Sequence, residues 1–273
     1  MNEFLAPEFI EKVERLALGI EPVDALRRER IPHPVDLVLD GVPLPGDEVS
    51  WEDVMGLPNA VGRLAAIERH NSCRHALIFR KGIKSPIAIR IGDRTRRFVP
   101  RRISYPIPAD IHSQGPPSRT RRPALFPGAA YAVSETATGL RGRVTWNQSA
   151  VNEVAARWVR VEARIGEQVV GRAHGDDRGE FLLILRNEAS GLGELPSPLI
   201  AQVTVFGPPA PPPISPDDPL SDLPLETLAA DPDDVSAGEK LPPGYAATAQ
   251  STRAVTFQLG RLLTNQAKFF FNP

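Results

Sequence analysis

Between residues 208 and 224 the chain carries eight prolines, and between 217 and 239 it carries eight acidic residues and no base. Proline has no N–H to give to a helix or an inner strand, and a block of like charge repels itself. Such a segment cannot bury enough apolar surface to fold alone. It predicts an extended, partly polyproline spacer over 208–249. The enrichment is general, since 29 of the 273 residues are proline, about twice the ordinary share of roughly 5%. The folded body is therefore expected before residue 208, mainly β and rich in turns.

After the spacer the chain turns apolar over 250–273, with Val255, Phe257, Leu259, Leu262 and Leu263, then Phe269, Phe270 and Phe271. This hydrophobic C-terminal arm has two destinations. It folds back onto its own domain, or it docks on another subunit. A stiff spacer reaches far and loses little entropy on docking, which favours the second.

Residues 1–95 read as a small α+β region. Phe9, Ile10, Val13, Leu16 and Ala17 share a helical face, with Pro7 suited to the first turn and Gly19 to the stop, so a helix is predicted over 7–18. Short helices are also predicted from Val23 to Arg28 and from Asn59 to about Arg69. Val35 to Asp40, Ala76 to Phe79 and the alternating Ile87, Ile89 and Ile91 predict strands, with Gly92-Asp93 as a turn. Ile103, Tyr105 and Ile107 alternate as well, but Pro100, Pro106 and Pro108 argue against an inner place in a sheet. Residues 112–123 predict a loop.

Residues 96–207 read as a β-sandwich. Strand-like runs fall at 140–146, 158–163, 169–170, 181–185 and 199–206. Their spacing suits a sandwich better than βαβ units.

Net charge is −1, from 32 Lys and Arg against 33 Asp and Glu. That balance argues against bulk electrostatic binding to nucleic acid or to an anionic membrane. One cysteine excludes an intrachain disulfide framework. No apolar run approaches the ~18 residues of a membrane span. The opening stretch, MNEFLAPEFIEKVERLALG, carries acids where a secretory signal needs positive charge. The expectation is a cytoplasmic protein without a signal peptide.

Catalytic signatures are lacking. His70, Cys73 and His75 offer good zinc ligands, but the spacing matches no standard structural site. Asp176 and Asp177 lack the alternating acids of a calcium loop. Ser134 and Glu135 sit in no nucleophile elbow. No catalytic residue, cofactor or metal is assigned, and the chain is not expected to be an enzyme. Arginine stands out instead: nine lie between 90 and 122, opposed by Asp93 and Asp110 alone. Arg96, Arg97, Arg101 and Arg102 are the densest group. Such a surface meets an acidic segment of this chain or a neighbour, binds phosphates, or stays solvated. Few aromatics are interleaved, which disfavours single-stranded nucleic acid. The acids of 217–239 favour the first outcome.

Two resemblances follow from particular residues. Thr138 to Val144, then Val159, Val161 and Ala163, then Gly171-Arg172-Ala173 and Gly175-Asp176-Asp177-Arg178-Gly179-Glu180-Phe181 resemble the carboxypeptidase regulatory-like (transthyretin-like) β-sandwich. The resemblance implies a hairpin turned by Asp176 and Gly179, with Phe181 plugging the core. Gly175 stands where that family has Thr, and the insert Asn147 to Ala156 is long and polar. Separately, Arg96 to Ile103 and Arg122 to Tyr131 resemble proteins encoded with phage-tail-like contractile injection systems. That implies a structural adaptor or cap-region subunit, assembled in the cytoplasm into a particle released by lysis. Its partners would be other protein subunits, alike and unlike. Its anchors would be Phe257, Leu262, Leu263, Phe269, Phe270 and Phe271 in a neighbour's groove. The other reading is a glycan- or peptide-binding module with Trp146 and Trp158 as platforms.

Overall fold

The structure is a computed structural model and describes residues 16–40, 67–78, 85–107, 119–146, 153–186, 198–228, 236–264 and 268–272. These residues are mainly β, with nineteen strands in chain order and α-helical backbone at 236–237 alone.

One body is a sandwich. Its first sheet centres on β10 (Gly139–Trp146), flanked antiparallel by β14 (Glu180–Ile184) and β11 (Val154–Ala155). Gly139 and Leu140 of β10 also pair in parallel with β18 (Leu262–Leu263), and Arg143 to Trp146 with β19 (Lys268–Phe271). Its second sheet runs β13 (Gln168–His174), β12 (Arg160–Ile165), β15 (Leu199–Gly207), β17 (Ala246–Phe257), each antiparallel to the next. Alternation along β15 is strict at its start, with Leu199, Ala201, Val203 and Val205 buried and Ile200 and Gln202 exposed. That pattern turns one face to the core. The hairpin before β14 uses the expected chemistry. Asp176 Oδ1 accepts the N–H of Arg178 at 2.8 Å and of Glu180 at 2.9 Å, and Gly179 takes φ 72°. Phe181 enters the core at 3% exposure.

The other body holds a sheet of β16 (Leu225–Thr227), β7 (Arg101–Tyr105), β6 (Ile87–Gly92) and β3 (Asp36–Leu39) in that order. A second sheet runs β4 (Ile67–Arg69), β5 (His75–Ile78), β1 (Leu16–Ile20), β8 (Thr120–Arg121), and β2 (Val23–Asp24) pairs with β9 (Ala124–Leu125). Leu18, Ile20, Leu77, Ile89, Ile91 and Ile103 fill its core.

Several expectations are corrected. The helix over 7–18 is absent at its described end, where β1 lies between β5 and β8; residues 7–15 lie outside the described residues. Ala17, Leu18 and Ile20 are all buried, and a continuous apolar run suits a strand covered on both faces. The helix from Val23 is replaced by β2 and a turn, because Asp24 Oδ1 takes the N–H groups of Leu26 at 2.8 Å and Arg27 at 3.1 Å. The described end of the third, Ile67–Arg69, is β4; residues 59–66 lie outside the description. β7 sits inside its sheet, since Pro100 and Pro106 bracket the strand without interrupting its ladder.

The boundary expected between residues 95 and 96 falls inside the β6–β7 connection. There Asp93 accepts N–H groups from Thr95, Arg97 and Phe98 and ties the turn shut. The spacer is not free either. Its residues 225–227 form β16 on the body outside the sandwich, and 246–249 already belong to β17. The arm folds back in cis: β17, β18 and β19 are sandwich strands, and Phe257, Phe269 and Phe271 lie in the sandwich core.

Candidate functional site

The arginine surface meets the acidic segment of its own chain. Arg101 of β7 is wholly buried and forks onto Glu226 of β16, with Nε to Oε1 at 3.0 Å and Nη2 to Oε2 at 2.5 Å. Its Nη1 donates to the carbonyls of Ala124 at 2.7 Å and Ser236 at 3.0 Å. From the sandwich, Arg160 Nη2 donates to the same Glu226 Oε1 at 3.0 Å. One carboxylate thus bridges the two bodies. Burial by itself would raise the Glu226 carboxyl, but Arg101 and Arg160 beside it hold it below the ordinary value. Further along, Arg157 Nε meets Asp222 Oδ2 at 2.7 Å, and Arg90 meets Asp218 at 2.6 Å and Asp40 at 2.7 Å.

Next to this bridge His174 stacks on Phe126 with ring centroids 3.8 Å apart, its Nε2 facing the Gly238 carbonyl at 3.3 Å. Burial, then Arg160 and Arg101, push its pKa well down, so the ring is neutral and Nε2 carries the proton.

Of the other arginines, Arg102 pairs with Asp40, Arg96 Nη2 lies 3.5 Å from Asp177, and Arg97 is exposed while its backbone N–H donates to Asp93. The two halves of the second resemblance pack together. Val99 N–H donates to Phe126 O at 2.9 Å, and Gly128 N–H to Arg97 O at 2.7 Å. Among the arm residues, Phe257, Phe269 and Phe271 are buried, and Phe270, Leu262 and Leu263 are half-buried. As they sit, they are core and sheet members, not free anchors. Trp146 meets Phe271 edge-on with centroids at 5.4 Å, and Trp158 is 1% exposed, so neither presents a face for stacking. His70 Nδ1 lies 2.9 Å from Ser72 Oγ, while His75 is buried within β5. Among the described residues no group of three His, Cys, Asp or Glu is placed to hold a metal.

A cleft of about 790 Å³ opens between the two bodies. Val38, Pro219 and Leu220 give it exposed apolar surface, and the buried Phe98, Val99 and Trp158 lie behind. Two of its residues, Arg96 at φ 56° and Trp158 at φ 59°, hold a left-handed backbone that bulky residues rarely adopt.

The outer edge of β17 is the other surface feature. β15 covers one side, and among the described residues no strand covers the other. Thr252 to Phe257 form the regular stretch, in register with Leu199 to Thr204. It holds one charge, Arg253, and no proline. Such an edge offers unpaired N–H and C=O groups to another strand.

Arg160 and Glu226 were not singled out by their sequence pattern. Glu226 had a usable signal: it stands alone among Leu223, Leu225 and Leu228 inside an otherwise polar, acidic stretch. Arg160 had none, because its partner lies 66 residues away.

No family description and no curated protein matches the chain. Among solved structures, a 9R-lipoxygenase from Cyanothece matches over 54% of this chain at 12% identity with a TM-score of 0.22, and this chain spans 18% of its length. A minor pilin of Streptococcus agalactiae matches over 94% of this chain and 96% of its own, at 10% identity and a TM-score of 0.26. Likenesses this weak establish neither a shared fold nor a function.

Proposed function

We propose that this chain is a structural adaptor that joins neighbouring subunits of a larger assembly by strand addition at β17. The observation that carries the proposal is the uncovered edge from Thr252 to Phe257, on a sheet whose other face is packed. Main-chain hydrogen bonds along such an edge supply affinity, and alternate side chains supply selectivity. The cross-braced bodies behind it give the rigid frame that an adaptor needs. The resemblance of Arg96 to Ile103 and Arg122 to Tyr131 to proteins of contractile injection systems supports a place in a phage-tail-like particle, in its cap region.

The test is sedimentation from the native source, with mass spectrometry of whatever travels with the chain. Wild type is expected in megadalton particles with sheath- and tube-like proteins. The double variant Ala254→Lys/Thr256→Lys places charge on exposed positions of the edge and is expected to fold but to leave the particle fraction. Wild type running as a free monomer would overturn the proposal, and so would the variant assembling normally.

A further inference from the structure

We infer that residues 236–239 form an acid-released latch across the two bodies, closed while the His174 ring is neutral and opened when the ring takes a proton.

The latch is held by its backbone. Arg101 Nη1 of β7 donates to the Ser236 carbonyl at 3.0 Å, and His174 Nε2 of β13 donates to the Gly238 carbonyl at 3.3 Å. One short segment is thus gripped from both bodies. Gly238 takes φ 72°, and a Cβ there would stand 2.6 Å from Phe126 Cε2, 3.3 Å from His174 Cε1 and 3.4 Å from Arg101 Nη1. The bare backbone is therefore seated directly on the stacked Phe126 and His174 rings. Glu239 adds a hold on the sandwich, 3.0 Å from Arg172 and 3.8 Å from Arg186.

The surroundings of His174 oppose a second ring proton. The residue is 1% exposed, and among the described residues its Nδ1 has no hydrogen-bond partner. Arg160 of β12 stands opposite it in register, and Arg101 of β7 is the other nearby cation. Glu226 of β16 is already shared by both guanidinium groups. Glu239 is taken by Arg172 and Arg186, and Arg172 also meets Glu162 at 3.1 Å. Tyr245 brings no charge, because burial raises its phenol to about 12. An imidazolium here would be a third cation against one carboxylate, with an N–H aimed at no acceptor. Lifting 236–239 uncovers the Nε2 edge and lets water solvate the charge. The ordinary value of the ring is 6.5, so below that pH opening gains up to about tenfold per unit.

The experiment is amide hydrogen exchange on the full chain at pH 7.5 and 5.5, with intrinsic exchange rates divided out. Protection of 236–240 is expected to fall about tenfold between the two, while β12 and β15 keep theirs. His174→Gln retains a side-chain N–H for the Gly238 carbonyl but does not titrate. Its protection should be equal at both pH values, whatever its level. His75→Gln, altered in β5, should keep the wild-type fall. Should His174→Gln fail to fold, Gly238→Ala serves instead, since its methyl collides with Phe126. It is expected to show low protection of 236–240 at both pH values with β12 and β15 intact, and retained protection would sink the latch. So would equal wild-type protection at the two pH values, a fall that survives in His174→Gln, or a loss spread evenly over β12 and β15. None of these outcomes bears on the β17 edge, so failure here leaves the adaptor proposal to its own test.

Discussion

At the scale of single residues, Glu226 carries the heaviest electrostatic demand. It satisfies two buried guanidinium groups from different bodies at once. Removing it with Glu226→Ala leaves both uncompensated, and a loss of about 3–5 kcal/mol is expected in urea unfolding. Glu226→Gln keeps the shape and some of the hydrogen bonds and should lose less. Two histidines set the response to acid. Burial, then Arg69, lowers His75 to about 4, and His174 lies well below its ordinary value of 6.5. Both bind protons more readily unfolded than folded. Their contribution is therefore constant above pH 6.5 and falls as pH drops below it, by about 1 kcal/mol per histidine per pH unit. For His75 the fall levels off below about pH 4. Glu226 has the same sign in a lower window: its folded value is depressed, so its contribution is present above the unfolded carboxylate value and lost as pH falls through the folded one. Melting temperature should decline steadily from pH 6.5 to 5, and a flat profile there would refute the neutral assignment of both rings.

At the scale of elements, the arm is the telling case. β19 completes β10, and Phe271 packs on Trp146 and against Gly207, where any side chain would collide with its ring. Phe271→Ala should cost about 3–5 kcal/mol in chemical unfolding. Truncation after residue 257 should destabilise the sandwich rather than yield an intact domain that fails only in assembly. The arm's apolar character was legible in sequence, but its destination was not. Phe257, Phe269 and Phe271 alternate or cluster in the same way whether their partner is β10 of the same chain or of another. The sandwich strands were legible because Val159 to Ala163 alternate apolar with charged residues, and the turn at Asp176 and Gly179 has its own chemistry. Leu16–Ile20 was misread because five nearly continuous apolar residues fit a buried strand as well as the end of a helix. The proline argument failed at β7 because proline bars only the positions it occupies, and Arg101 to Tyr105 contains none. Of the binding surfaces, the arginine–acid pairing was legible from charge runs, whereas the cleft depends on how two bodies meet and has no local signature.

At the scale of the whole molecule, the chain crosses between bodies more than once. It leaves the sandwich at Gly207, contributes β16 to the other body, and returns at Ala246. The segment meant to separate parts instead braces them, through Asp218, Asp222 and Glu226. Deleting 217–239 should let the bodies move independently. A larger radius of gyration by X-ray scattering and new protease cleavage near 132–137 are expected, and an unchanged radius would show that other contacts suffice. The parallel pairing of β10 with β19 also has a consequence for how the molecule is born. Trp146 ends one strand and Lys268 begins its partner, so on a chain growing at about 5–20 residues per second this edge stays bare for roughly 6–24 s. Ribosomes following one another along a message would carry several copies in that condition side by side. The arm of a leading copy can then reach the bare edge of the next before that copy has made an arm of its own.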